Sequence, residues 1–80
     1  MTRTDYENAA RYLRRRREAQ AAGYDVAKAQ TVSTKRRRLL EAARKEASDI
    51  LAVEFAFVEL FAEGNARFSP EKFRQAAALP

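Results

Sequence analysis

Residues 35–63 read KRRRLLEAARKEASDILAVEFAFVELFAE, and their spacing decides the fold. Arg36, Leu40, Ala43, Ala47, Ile50, Glu54, Phe57 and Phe61 recur at alternating intervals of four and three. That period keeps one side of an α-helix against a neighbour, as in a coiled coil. It predicts a helix over about 35–63, roughly 43 Å long at 1.5 Å per residue. Gly64-Asn65 then offers a C-terminal stop. Past Ile50 the apolar arc widens as Leu51, Val53, Phe55, Val58 and Leu60 join it, leaving Asp49, Glu59 and Glu63 on the wet side. One partner helix covers a narrower stripe than that. Two further helices, or another chain, must pack there.

Working outward, Thr4-Asp5-Tyr6-Glu7 fits a capping box that opens a first helix. Tyr6, Ala10, Leu13, Arg17 and Gln20 form one stripe, apolar first and polar later, and Gly23 suggests a stop after about Ala22. Residues 24–34 allow two readings. Asp25 can cap a helix that runs on to residue 63, or Thr31-Val32-Ser33-Thr34 can break the chain with weak helix formers. The second is favoured: a short turn after Asp25, a bend, and the main helix from about Thr34. Near the end, Ser69 caps a third helix, Pro70 takes its first position, and Phe68 and Phe73 stand as a hydrophobic staple. The expected fold is all-α in one domain, 1–80: a helical hairpin (about 5–22 and 35–63) plus a short C-terminal helix (about 70–78).

Composition narrows the chemistry. Eighty residues make one small domain that buries only roughly 60% of its unfolded surface. With neither cysteine nor histidine, no disulfide is possible and neither a metal nor a cofactor is expected. The longest apolar stretch, Ile50 to Ala62, is too short and too charged, with Glu54 and Glu59 inside it, to span a bilayer. Charges also stand where a signal peptide needs an apolar core. These features point to a protein of the bacterial cytoplasm with no membrane partner. No cluster of acid, base and nucleophile appears, so an enzyme is not expected.

Charge supplies the leading function. Residues 1–45 hold thirteen Lys/Arg against five Asp/Glu, whereas residues 46–80 hold three against six. Two blocks, Arg14–Arg17 and Lys35–Arg38, dominate. Clustered cations attract polyanions, and the expected nucleic-acid contacts are Arg11, Arg14, Arg15, Lys35, Arg37 and Arg38. Consecutive helical residues point 100° apart, so Arg14–Arg17 cannot share a face, and Arg17 continues the inward stripe. Lys35–Arg38 would crowd the positive end of a helix dipole if the helix starts near Thr34, and such a broken local rule hints at function. A helix-turn-helix through Ala27, Val32, Ser33 and Leu40 is disfavoured, because Thr31 replaces the usual glycine and Arg37 falls where an aliphatic residue belongs. Few aromatics interleave the arginines, so a stacking platform for single strands is poorly supported.

The alternative is protein binding through the Ile50–Phe61 surface, to a host or phage protein or to a second copy. Glu54 sits in the apolar arc and needs a partner. Two copies of the main helix, antiparallel and centred near residue 45, would face Arg36 with Glu54, and Ala43 and Ala47 would allow close approach. The interface would then comprise Arg36, Leu40, Ala43, Ala47, Ile50, Glu54, Phe57 and Phe61.

Both ends carry a resemblance. Arg3, Tyr6 and Ala10 match the pattern R-x-x-Y-x-x-x-A. Phe61, Ala62, Asn65, Arg67, Phe68, Phe73 and Ala76 match F-A-x-x-N-x-R-F-x-x-x-x-F-x-x-A. The chain thus resembles small uncharacterised helical proteins encoded by bacteriophages and prophages. It departs from them at Ala66, where proline is usual, and at Ala77, where cysteine is common. The resemblance implies a mobile-element origin and a helical fold, and it carries over no activity and no functional residue.

Overall fold

The computed structural model describes residues 3–79. Three helices follow one another, α1 (Arg3–Ala29), α2 (Ser33–Gly64) and α3 (Pro70–Ala77), with no strand among the described residues. Helices α1 and α2 lie antiparallel. The Tyr6 ring meets Phe61 at one end, and farther along Gln20 Nε2 donates to the Ala43 carbonyl. Helix α3 folds back onto the open end of this hairpin. The result is a rod of 50 × 19 × 16 Å.

Helix α1 continues to Ala29 instead of stopping at Ala22. Gly23 has no positive φ, so it does not terminate the helix as a left-handed cap would. The inward stripe explains why. Tyr24 and Ala27 extend it by steps of four and three, and Ala27 is wholly buried while Tyr24 is half-buried. The Lys28 ammonium also lies 4.6 Å from the centre of the Tyr24 ring. Continuing the packed face outweighs the cost of a helical glycine, about 1 kcal/mol. The break comes at Gln30–Val32, where Gln30 Oε1 accepts from the Val32 N–H at 3.2 Å and Val32 is extended. The β-branched residues therefore do interrupt the chain, and a single helix from Asp25 to residue 63 does not form.

The capping box at Thr4 is not made. The helix already includes Arg3, so Thr4 lies inside the first turn, and Glu7 pairs instead with Arg3 at 3.0 Å. Helix α2 ends at Gly64 as expected, but by a different device. Gly64 again lacks a positive φ, and Asn65 turns extended, its Oδ1 accepting from the Arg67 N–H at 2.9 Å. Helix α3 starts as its sequence predicts. Ser69 Oγ accepts from the Lys72 N–H at 3.4 Å, Pro70 follows, and the Phe68 and Phe73 rings stand 5.8 Å apart.

Leu13 and Ile50 form the sealed centre of the α1–α2 contact. Toward the open end, Phe61 is surrounded by rings: Tyr6 at 4.6 Å, Phe68 at 5.4 Å, Phe73 at 5.5 Å and Phe57 at 5.7 Å. The side of the apolar arc that carries Ile50, Val58 and Phe61 is thus filled within the chain, while Leu51, Phe55 and Leu60 stay exposed. Two stability changes of opposite sign follow. Nothing lies within 4 Å of a Cβ built on Gly23, so Gly23→Ala should stabilise the protein by about 0.5–1 kcal/mol. Phe61→Ala should cost about 3–5 kcal/mol, most of what a domain this small has. Thermal unfolding followed by circular dichroism measures both, and a destabilising Gly23→Ala would contradict the continuous helix.

Candidate nucleic-acid interface

The first arginine block is largely committed to holding the three helices together. Arg17 turns inward, as its place in the stripe requires. Its Nη1 lies 2.6 Å from Glu54 Oε2 and donates to the Ala77 carbonyl at 2.9 Å. The approach to Oε2 is a charge contact without an aligned hydrogen bond, since that oxygen accepts none. Arg74 approaches the other carboxylate oxygen at 3.9 Å. Arg14 Nη2 donates to the Ala76 carbonyl at 2.8 Å. Both carbonyls belong to the C-terminal turn of α3, where a cation complements the helix dipole. Arg16 reaches across to Glu46 with bonds of 2.6 and 3.1 Å and also donates to the Tyr12 hydroxyl. The Glu46 bonds hold the Arg16 guanidinium above its ordinary pKa.

Two sequence-based expectations change accordingly. Arg14, expected to contact phosphate, is exposed and donates one guanidinium N–H to the Ala76 carbonyl at the end of α3. Glu54, expected to face Arg36 of a second chain, finds its cation in Arg17 of its own. The seam proposed for that pairing is occupied. Ala43, Ile50, Glu54 and Phe61 are buried in the hairpin, Leu40, Ala47 and Phe57 are half-buried, and Arg36 is exposed. Arg36 and Glu54 share a helical period, but the folded chain leaves only Arg36 accessible.

What remains free is elsewhere. Arg11 and Arg15 are exposed and lie on the side of α1 opposite Leu13. Lys35, Arg36, Arg37 and Arg38 are exposed in the first two turns of α2, and Arg44, also exposed, lies roughly 16 Å along the axis from the helix start. None of these seven forms an ion pair among the described residues. Folding also redistributes charge. The closed end of the hairpin, residues 18–45, holds seven Lys/Arg against three Asp/Glu. At the other end, α1 lies beside the acidic half of α2. There residues 3–17 and 46–79 together hold nine against eight. Nearly all the net charge therefore sits at the tip.

The tip has a second electropositive feature. Val32 gives α2 no side-chain cap, and its first turn contains no acid. The open N–H groups and the dipole add to the cations of Lys35–Arg38. The unfavourable placement noted in the sequence is real, because α2 begins at Ser33 and not at Asp25. Arg11 and Arg15 do not join this site. The Arg16–Glu46 and Gln20–Ala43 contacts set the register of the hairpin, which places Arg15 roughly 20 Å along the axis from the tip. The six expected nucleic-acid residues thus separate into the tip set Lys35, Arg37 and Arg38, the outer pair Arg11 and Arg15, and the structural Arg14. Arg36 belongs with the tip. The sequence period assigned Arg36 to a seam that ends before reaching it.

The residues of the phage-type resemblance converge as well. Tyr6, Phe61, Phe68 and Phe73 form the aromatic cluster, and Asn65 Nδ2 donates to the Tyr6 hydroxyl at 3.2 Å. They build the joint among the three helices. The sequence matches no family model, and neither a curated protein nor a solved structure matches it. Among the described residues, no helix is long and apolar enough to cross a membrane.

The buried pair gives a test of this division of labour. Arg17→Met should cost about 3–5 kcal/mol, because it strands the Glu54 carboxylate in the core. The double variant Arg17→Met/Glu54→Leu should recover part of that loss. Chemical denaturation of the three proteins measures both, and equal losses in single and double variants would mean that Glu54 is not stranded.

Proposed function

We propose that this protein binds nucleic acid through the tip of its helical hairpin, with Lys35, Arg36, Arg37 and Arg38 contacting phosphates. One observation carries the reading: these four cations, unpaired among the described residues, crowd the uncapped start of α2, while most of the Arg14–Arg17 block serves the fold. A phosphate at this end relieves the repulsion among the cations and satisfies open backbone N–H groups. Contact of this kind is with the backbone and reads no sequence. The arrangement offers no acid–base pair or nucleophile, and the reading is of a binding protein and not an enzyme. The phage-type resemblance is compatible with a small accessory role of this sort.

The experiment is a salt titration of binding to a short generic duplex. With about four phosphates neutralised, log K should fall with log salt at a slope near −3 to −4. Arg37→Ala/Arg38→Ala should weaken binding on every sequence and reduce that slope by about two. Arg11→Ala/Arg15→Ala should leave the slope nearly unchanged. A duplex ignored at low salt, or equal losses from both double variants, would overturn the assignment to the tip.

A further inference from the structure

We propose that α2 pairs antiparallel with α2 of a second copy of this chain, through its outer face. A second stripe runs along the helix: Arg37, Glu41, Arg44, Ser48, Leu51, Phe55, Val58 and Ala62, again at alternating steps of four and three. Only Val58 of these is buried in the hairpin. Leu51 and Phe55 are 58% and 63% exposed, with Leu79 beside Leu51 and 44% exposed. A heptad-spaced face with large apolar residues at its middle suits a helical partner.

Charge selects a second copy as that partner. Within α2, residues 33–45 carry six Lys/Arg and one acid, whereas residues 46–64 carry five acids and no Lys/Arg. Arg44 stands at one end of the apolar segment, with Glu59 and Glu63 at the other. All three are exposed and lack an ion pair among the described residues. An antiparallel copy reverses this polarity. Centred on residue 53, it sets Leu51 against Phe55 of the second copy. Arg44 then comes beside Glu59 and Glu63 of the second copy, and the two-fold axis repeats every contact. A parallel copy would instead align like charges. This face is distinct from the Arg36–Glu54 seam, which the chain fills itself. The two tips would lie at opposite ends, roughly 60 Å apart at 1.5 Å per residue. They would stay accessible, so the pairing does not depend on the nucleic-acid reading.

Sedimentation velocity of the full chain, over a roughly hundredfold range of concentration, tests the pairing. The expected result is a monomer–dimer equilibrium. Phe55→Ser and, separately, Leu51→Gln should each raise the dissociation constant about tenfold or more with no change in the helical circular dichroism spectrum, since both side chains are exposed. Arg44→Glu should also dissociate the dimer, and adding Glu59→Arg and Glu63→Arg should restore it. A chain that stays monomeric throughout, or a dimer indifferent to Phe55→Ser and Leu51→Gln, overturns the proposal. Failure of the triple charge exchange to restore the dimer overturns its antiparallel register.

Discussion

The Arg17 guanidinium is the point through which all three helices are joined. It projects from α1, neutralises Glu54 on α2 and donates to the last turn of α3 through the Ala77 carbonyl. Its side chain is only 19% exposed and that of Glu54 only 10%. A carboxylate so enclosed is tolerable only beside a cation. The arrangement is a device for specificity as much as for stability. A purely apolar arc on α2 would accept α1 in several registers, whereas Glu54 accepts only the one that brings Arg17 alongside. Arg14, one turn earlier, fixes the end of α3 by the same means. Aromatic packing supplies the bulk of the cohesion around this pivot, with Phe61 enclosed by four rings.

Helix positions were legible in the sequence wherever periodicity and capping chemistry agreed. The α2 seam and the Ser69-Pro70 start each have a single physical meaning, and the structure follows both; of the two readings of residues 24–34 the broken one holds, with the break at Gln30–Val32 and Ser33 and Thr34 already in α2. Gly23 misleads because a glycine is both a common terminator and a tolerated interior residue. The deciding signal was the stripe itself, which continues through Tyr24 and Ala27 beyond it. Asn65, rather than Gly64, proves to be the effective terminator of α2. The site was only partly legible. Sequence distinguishes an inward arginine from an outward one, and Arg17 was recognisable on that basis. It does not show that an outward arginine will meet the end of a distant helix, as Arg14 does across 62 residues. Nor does it show that the basic half of α1 will lie beside the acidic half of α2 and largely cancel it.

That cancellation changes how the arginine content should be understood. A charge run in a linear sequence is easily taken as one surface. Here four consecutive residues serve three ends: Arg14 and Arg17 secure α3, Arg16 bridges to α2, and Arg15 meets solvent. Lys35–Arg38 differ because the turn carries them past the end of the packed seam, where no acidic side chain of the neighbouring helix reaches them.

The shape of the molecule then acquires an electrical meaning. A rod 50 Å long with its excess charge at one tip has a large permanent dipole moment along its axis. At physiological ionic strength fields decay over about 8 Å, far less than the length of the rod. An approaching polyanion therefore feels the tip and not the molecule's total charge. Were a polyanion the partner, the torque on the rod would grow only in the last moments of an encounter and turn it end-on before contact, so the long axis itself would supply the orientation that usually limits docking.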